Sequence, residues 1–355
     1  MKSVTLRRSL ATSLGGLLLL ASTAVTAAPD PVKLTMSSWV PPTHFLIKDI
    51  LQPWMAEVEK ATEGRVSIRI LPNALGSPPQ HFELARKGVA DITWGNLTYE
   101  PDRFKSIWFA EMPFAGTVAE ASSVALWETY RKYLSDNPAY RGVVMLGLGM
   151  LGGGAIHHQS KAIVNPDDLQ SQKVRMGGPI QKRLLEELGA VPIAAPAPKA
   201  YELLESGVID ASLHPLESIV NFRLEDKLKF HTKVPEGLYD GTFFIVMNEA
   251  KWKRLSSADR DAIAKVSGAA LSRRFGAQFD VQNKAAEAQL RAAGHTFSEP
   301  SKALIDKIGS VREGMLADWS REGAAFHVAD PKGMLAFYLE QYKAEAAGIK
   351  AKGAK

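Results

Sequence analysis

Residues 32–94 read VKLTMSSWVPPTHFLIKDILQPWMAEVEKATEGRVSIRILPNALGSPPQHFELARKGVADITW and hold three strand-like runs separated by two helical ones. Val32 to Met36 alternates with the period of two that a half-buried strand requires. Pro41-Pro42 breaks the run, and Thr43 is placed to cap a helix from His44 to about Thr62. Leu46, Ile50, Leu51, Trp54, Met55 and Val58 fall near one face of that helix. Gly64 ends it, and Val66 to Leu71 alternates again. After the turn Gly76-Ser77-Pro78-Pro79, a short helix from Gln80 to Lys87 leads into a buried strand, Ala90 to Trp94. Strand, helix, strand, helix, strand at this spacing specifies an α/β fold with a mostly parallel sheet and helices on its faces.

The pattern continues toward the C-terminus. A helix from about Ala119 to Leu134 precedes a strand at Val143 to Leu146 and a glycine-rich stretch, Gly147 to Gly154. A second α/β unit follows. Asn165-Pro166-Asp167-Asp168 opens a short helix, with a cap, a first-turn proline and acids at the positive end of the dipole. Val174 to Met176, Val191 to Ile193 and Ile209 to Ser212 are extended, and helices at Pro179 to Leu188 and Lys199 to Ser206 lie between them. Thr242 to Asn248 (TFFIVMN) is an apolar strand. Ser256 to about Ala293 reads as one helical region, long enough to run along two domains. A strand at His295 to Phe297 and helices at about Ser301 to Trp319 and Lys332 to Ala346 complete the chain, with a disordered tail expected over 347–355.

The N-terminus belongs to a different category. Lys2, Arg7 and Arg8 precede a Leu/Ala/Gly-rich run from Ser9 to about Val25, and Val25-Thr26-Ala27 supplies small residues for cleavage. This is the order of a secretory signal peptide, residues 1–27, and it places the mature protein in the periplasm. Arg7-Arg8-Ser9-Leu10 matches a twin-arginine signal only in part, and the leader is read as an ordinary basic one. Its removal takes away three positive charges and lowers the formal charge from +5 to +2, so no basic surface argues for nucleic acid. The chain has no cysteine, which excludes thiolate catalysis and thiolate metal sites.

Chemical motifs are few. Gly147-Leu148-Gly149-Met150-Leu151-Gly152 fits G-x-G-x-x-G after a strand, but an extended segment rather than a helix follows, so a crossover between domains is the better reading than a dinucleotide site. His157 and His158 are adjacent on a strand and point to opposite faces, which defeats joint metal ligation. No catalytic constellation, cofactor motif or metal motif is present, and the chain is read as a non-enzyme. Arg175 sits in a short strand just before Gly177-Gly178-Pro179, at a strand end where α/β sheets gather ligands.

From Leu34 to about Pro300 the chain resembles the periplasmic solute-binding subunit of tripartite ATP-independent periplasmic (TRAP) transporters, the DctP-type receptors. The resemblance rests on ordered segments: Trp39-Val40-Pro41-Pro42-Thr43-His44, Gly64-Arg65-Val66 with Leu75-Gly76, Gly88 to Ile92, Met112-Pro113-Phe114, Asn165 to Leu169 with Lys173-Val174-Arg175, Leu188 to Pro192, Ala200 to Leu204 and Gly207 to Ala211. It implies two α/β domains joined by a hinge and a long helix spanning both, with residues 28–153 and 241–283 in domain I and 154–240 and 284–346 in domain II. It also implies that Arg175 binds a ligand carboxylate through a two-pronged salt bridge, a match of planar guanidinium to planar carboxylate. The expected role is a monomeric receptor that delivers a small organic acid to the membrane subunits of a TRAP transporter. A binding protein of another importer or sensor is the alternative, and an exported dehydrogenase-like enzyme a more distant one.

Ser212-Leu213-His214-Pro215 stands where the family commonly has Gln-Glu-Asn-Pro, which argues against a metal-assisted subgroup and makes His214 a candidate contact. The segment Gly154 to Gln159 lacks a second arginine, so a monocarboxylate is expected, with His157 facing the cleft. By position Ser38, Trp39, Trp94, Asn96, Tyr239, Asp240 and Phe244 complete the candidate set. Trp39, Trp94, Tyr239 and Phe244 would form an aromatic wall suited to an aromatic or keto acid.

Overall fold

The computed structural model describes residues 31–353, so the expected signal peptide lies outside the described residues. Its strands are β1 (Val32–Ser37), β2 (Val66–Ile70), β3 (Ile92–Asn96), β4 (Val143–Met150), β5 (Ala155–His158), β6 (Lys173–Met176), β7 (Val191–Ala194), β8 (Ala211–His214), β9 (Phe230–Thr232), β10 (Thr242–Asn248) and β11 (Thr296–Ser298). They form two sheets, ordered β2-β1-β3-β10-β4 and β11-β9-β5-β8-β6-β7. In the first, β1 is parallel to β2 and β3, while β10 runs antiparallel to both β3 and β4. The sheet is therefore mixed, because β10 enters from the second sheet and not from a preceding helix.

β10 is buried along its whole length. Phe243, Ile245 and Met247 join a core with Trp54, Trp94 and Phe275. Phe244 and Val246 join another with Phe82 and Phe104. A strand covered on both faces carries no polar alternation, hence the unbroken apolar run.

Three helices differ from their sequence reading. The helix expected from His44 begins as a wide π turn, Leu46–Leu51, before the α-helix Gln52–Ala61. Pro53 has no N–H to continue a regular ladder back into the preceding turn. Thr43 is not the cap; the Leu46 N–H donates to His44 Nδ1 (3.2 Å). The long region after Ser256 divides into Ser257–Val266 and Ala269–Ala292. The break is at Gly268, whose φ of +61° is left-handed and whose N–H donates to the Leu146 carbonyl (2.6 Å). The expected disordered tail is helical as far as Gly353 within Pro331–Gly353, a helix in which Ala and Lys, both good helix formers, are the commonest residues. That helix packs against Ala119–Thr129 on the first-sheet side.

The glycines of the apparent dinucleotide motif have a packing role. Gly147 and Gly149 lie within β4 beneath Ala269–Ala292. A Cβ on Gly149 would overlap the Phe275 ring, and one on Gly147 would sit 3.0 Å from Leu271 Cγ. The missing side chains let the helix press against the sheet.

Two segments cross between the sheets, 151–154 after β4 and 233–241 before β10. They run side by side: Gly154 N–H donates to Tyr239 O (2.7 Å) and Leu238 N–H to Gly154 O (3.3 Å). The long helix makes a third link through Asn283, which accepts from Glu217 N–H (3.0 Å) and donates to Leu151 O (2.8 Å).

A line of imidazoles crosses the second sheet. His157 on β5 is opposite His231 on β9, and their Nδ1 atoms are 2.7 Å apart. His231 Nε2 is 2.8 Å from His295 Nδ1. His157 Nε2 donates to the His214 carbonyl (3.0 Å), which fixes one consistent set of tautomers: His157 accepts from His231, and His231 accepts from His295. Burial pushes His157 down to about 4 and His231 to about 2, so both rings are neutral at pH 7.

Two outcomes follow from this packing. Gly149→Ala should destabilise the protein by about 1–3 kcal/mol through overpacking, read as a lower denaturation midpoint; an unchanged midpoint would contradict the seating of Phe275. For the histidines, folded values below the ordinary 6.5 mean the unfolded chain takes up protons first as pH falls. Their contribution to stability is complete above pH 6.5 and declines below it. NMR should find the His157 and His231 ring resonances unchanged from pH 8 to 5, and a midpoint near 6.5 would show that water reaches the line.

Candidate functional site

Where the two sheets face each other the chain forms a narrow cavity. Trp39, His44, Asn96, Tyr99 and Phe243 line it from the first-sheet side, and Arg175, Gln181, His214, Glu217 and Phe222 from the second; Tyr239 of a crossing segment and Phe279 of the long helix close it. The walls also touch each other. Ala197 N–H donates to Tyr99 Oη (3.0 Å), and the His44 and Phe222 rings are 5.9 Å apart. A Cβ on Gly178 would overlap Thr98 Cγ2 across the cleft.

Arg175 is on β6, between β7 and β8. Strand parity sends Val174 into the core and Arg175 to the opposite face. Nε donates to Ala195 O (2.8 Å) and Nη1 to Leu213 O (2.9 Å), two backbone carbonyls at the ends of neighbouring strands. Nη1 is 3.4 and 3.5 Å from the two ring nitrogens of His214, which sets it against the imidazole rather than along one lone pair. Nη2 makes no hydrogen bond to the described residues and lies beside Gly177, where a side chain would crowd it. The residue is 4 % exposed, and every partner it has among the described residues is neutral.

Among the described residues no carboxylate forms an ion pair with that charge. Burial, and then the Arg175 charge, hold His214 well below its ordinary range, so it is neutral. Burial pushes Glu217 up to about 7 against hydrogen bonds from Ser218 Oγ (2.6 Å) and Asn221 Nδ2 (2.9 Å), and both its oxygens are occupied by those donors. An arrangement of one buried cation, neutral polar groups and aromatic rings binds an anion with an apolar body.

Of the residues singled out by sequence, the structure brings Arg175, His214, Trp39, Asn96 and Tyr239 to the cavity. Five lie elsewhere. Trp94 is fully buried behind Trp39, with ring centroids 4.6 Å apart. Phe244 turns away to pack edge-on against Phe82; its neighbour Phe243 faces the cavity, one residue of strand parity apart. His157 is held in the imidazole line. Ser38 closes a local turn on Val40. Asp240 accepts from the Leu151 (2.8 Å), Gly241 (2.7 Å) and Gly153 (3.3 Å) N–H groups and fastens the crossing segments together. Burial nevertheless pushes Asp240 up to about 7.

The sequence reading missed His44, Tyr99, Gln181, Glu217, Phe222 and Phe279 as lining residues. His44 belonged to the quoted Trp39–His44 segment and was recognisable there. Phe222 follows the short helix Leu216–Asn221, which carries no periodic signal of its own. Among the described residues no cluster of His, Asp or Glu is suited to hold a metal ion, and no helix is long and apolar enough to cross a membrane.

Comparison with known proteins agrees with this geometry. The chain matches the model of the DctP family, bacterial extracellular solute-binding protein family 7, over residues 36–319. A TRAP periplasmic solute-binding protein from Bordetella bronchiseptica, solved with bound (R)- and (S)-mandelate, is 37% identical; the match covers 88% of this chain and 99% of that one, with a TM-score of 0.85. A TRAP solute-binding protein from Rhodoferax ferrireducens T118, in complex with copurified benzoate, is 26% identical over 90% of this chain and 99% of its own, with a TM-score of 0.82. One from an unidentified marine microbe, specific for aromatic acid ligands and solved with metahydroxyphenylacetate, is 30% identical over 88% and 98%, with a TM-score of 0.80. The chain therefore belongs to family 7 of the bacterial extracellular solute-binding proteins, the DctP family of TRAP receptors, which bind solutes and are not enzymes.

Proposed function

We propose that this receptor captures an aromatic monocarboxylate and delivers it to the membrane subunits of a TRAP transporter. The observation that carries the reading is Arg175: a buried guanidinium, oriented by two backbone carbonyls, with neutral partners only and an arm directed at Gly177. A charge in that setting is costly until an anion arrives, and a carboxylate offers two parallel charge-assisted bonds. Trp39, Phe222, Phe243 and Phe279 supply ring faces for the rest of the ligand. The aromatic acids bound by the three similar receptors support the same class.

In the proposed cycle the second-sheet lobe presents Arg175 and His214 to an entering acid. The lobes then close about the crossing segments and Asn283. Tyr99 to Ala197 and Thr98 to Gly178 are the contacts of the closed form, and closure dehydrates the ion pair and strengthens it. Both walls come from one chain, which supports a monomer as the working receptor. Residues 1–27 would carry it to the periplasm.

Calorimetry with benzoate, mandelate and phenylacetate tests the assignment. Truncating one partner of a buried ion pair costs about 2–5 kcal/mol, so Arg175→Ala should weaken binding by roughly 30-fold or more. Arg175→Lys should also bind poorly, because an ammonium cannot form the parallel pair. Wild-type affinity in Arg175→Ala would remove the residue from the site. A second variant probes closure. Gly178 is extended, so alanine suits its backbone, but the added methyl meets Thr98 when the lobes close. Gly178→Ala should keep the ligand-free melting temperature while lowering affinity by about tenfold, from the usual cost of overpacking; unchanged affinity would rule out closure through this contact.

A further inference from the structure

Two hydrogen-bond donors on the first-sheet wall have no protein acceptor. Trp39 Nε1 and His44 Nε2 are both buried and both unpartnered among the described residues. The His44 nitrogen is a donor by elimination. Its Nδ1 accepts the Leu46 N–H, so in the neutral ring the single proton resides on Nε2. Burial holds the ring neutral, pushing its value down to about 4. Two other buried tryptophans are satisfied, Trp54 by Ser267 Oγ (3.1 Å) and Trp319 by the Lys105 carbonyl (2.9 Å). Trp94 Nε1 is also without a partner, but Trp94 lies behind Trp39 and away from the cavity. Buried donors are rarely left unpaired, and Trp39 and His44 both belong to the lining of one cavity, where an entering ligand oxygen would supply the missing acceptor.

The rest of the lining narrows that oxygen. Asn96 Oδ1 is taken by the Thr98 N–H and hydroxyl, so its amide nitrogen is also a donor. Among the described lining residues Arg175 is the one cation, which provides for a single carboxylate. The first-sheet wall offers neutral donors, and these suit a neutral oxygen better than a second charge. The Phe222 ring neighbours both walls, with its centroid 5.9 Å from that of His44 and 6.5 Å from that of His214. His44 and Trp39 belong to the first-sheet wall and Arg175 to the second, so the two recognition points stand on opposite sides of the cavity.

Resting on the aromatic-acid reading above, we infer that His44 and Trp39 form a second subsite for a neutral acceptor oxygen on the part of the ligand remote from its carboxylate. The ligand class is then ring-oxygenated aromatic acids, with a phenolic hydroxyl or ring carbonyl, rather than plain aromatic acids or dicarboxylates. His44 and Trp39 set specificity there, while Arg175 sets the requirement for an acid.

Calorimetry on matched pairs tests this: benzoate against 3- and 4-hydroxybenzoate, and phenylacetate against 3- and 4-hydroxyphenylacetate. In the wild type at least one hydroxylated acid of each pair should bind about tenfold more tightly than its parent, the scale of a hydrogen bond formed in a buried site. His44→Phe, Trp39→Phe and the double variant keep a ring and remove the donor. The readout is the ratio of hydroxylated to parent affinity within each variant, which should fall to about one whatever the parent affinity becomes; melting temperature and circular dichroism show that the variants are folded. Equal affinities within every pair for the wild type, or a preference that survives in the double variant, would overturn the subsite while leaving the aromatic-acid reading intact. Binding of none of these acids, or binding that ignores Arg175→Ala, would overturn the underlying reading instead.

Discussion

A guanidinium buried without a counter-charge organises this molecule. Taking an ion out of water costs several kcal/mol even after the protein relaxes. Arg175 meets part of that cost with the carbonyls of Ala195 and Leu213, which also fix its orientation. Neither polar neighbour pairs with it as an ion: His214 is held uncharged, and the Glu217 oxygens are bonded to Ser218 and Asn221 while burial shifts that carboxyl toward its protonated form. Under the proposed function, that positive potential is what an entering carboxylate meets. The aromatic lining sharpens the effect, since low-polarity walls screen the charge less than water would.

The α/β character and most strands were legible because each depends on local pattern. β1, β2 and β3 emerge from alternation and turn residues over the quoted 63-residue stretch, with boundaries shifted by a residue or two. What local pattern does not contain is side. β10 is apolar on both faces, so nothing in TFFIVMN tells that Phe243 and not Phe244 faces the cavity; only its register with β3 and β4 decides. Gly268 is a similar case, because the helical periodicity continues through it and the interruption comes from a tertiary bond to Leu146. Short β9 and the Leu216–Asn221 helix left no signal above background.

Site residues were legible in a different way. Arg175 and His214 stood out through their segments, and both line the cavity. Asp240 and His157 were polar residues in suggestive places whose partners proved to be backbone amides and other imidazoles. Polarity near a cleft does not separate a contact from a brace. The test is whether the hydrogen-bonding capacity is already spent inside the protein.

The notches in β4 have a mechanical consequence. Leu271 and Phe275 are seated where Gly147 and Gly149 lack side chains, so the long helix is keyed to the first sheet like a tooth in a rack. A keyed helix resists translation along the strand beneath it, because every sliding step would have to lift a ring out of its recess. Under the proposed closure, relative displacement of the sheets would then be a rotation about the helix near Asn283 and about the two crossing segments. The closure proposed for this receptor is then a swing and not a slide, because the rack holds the helix in register with its strand.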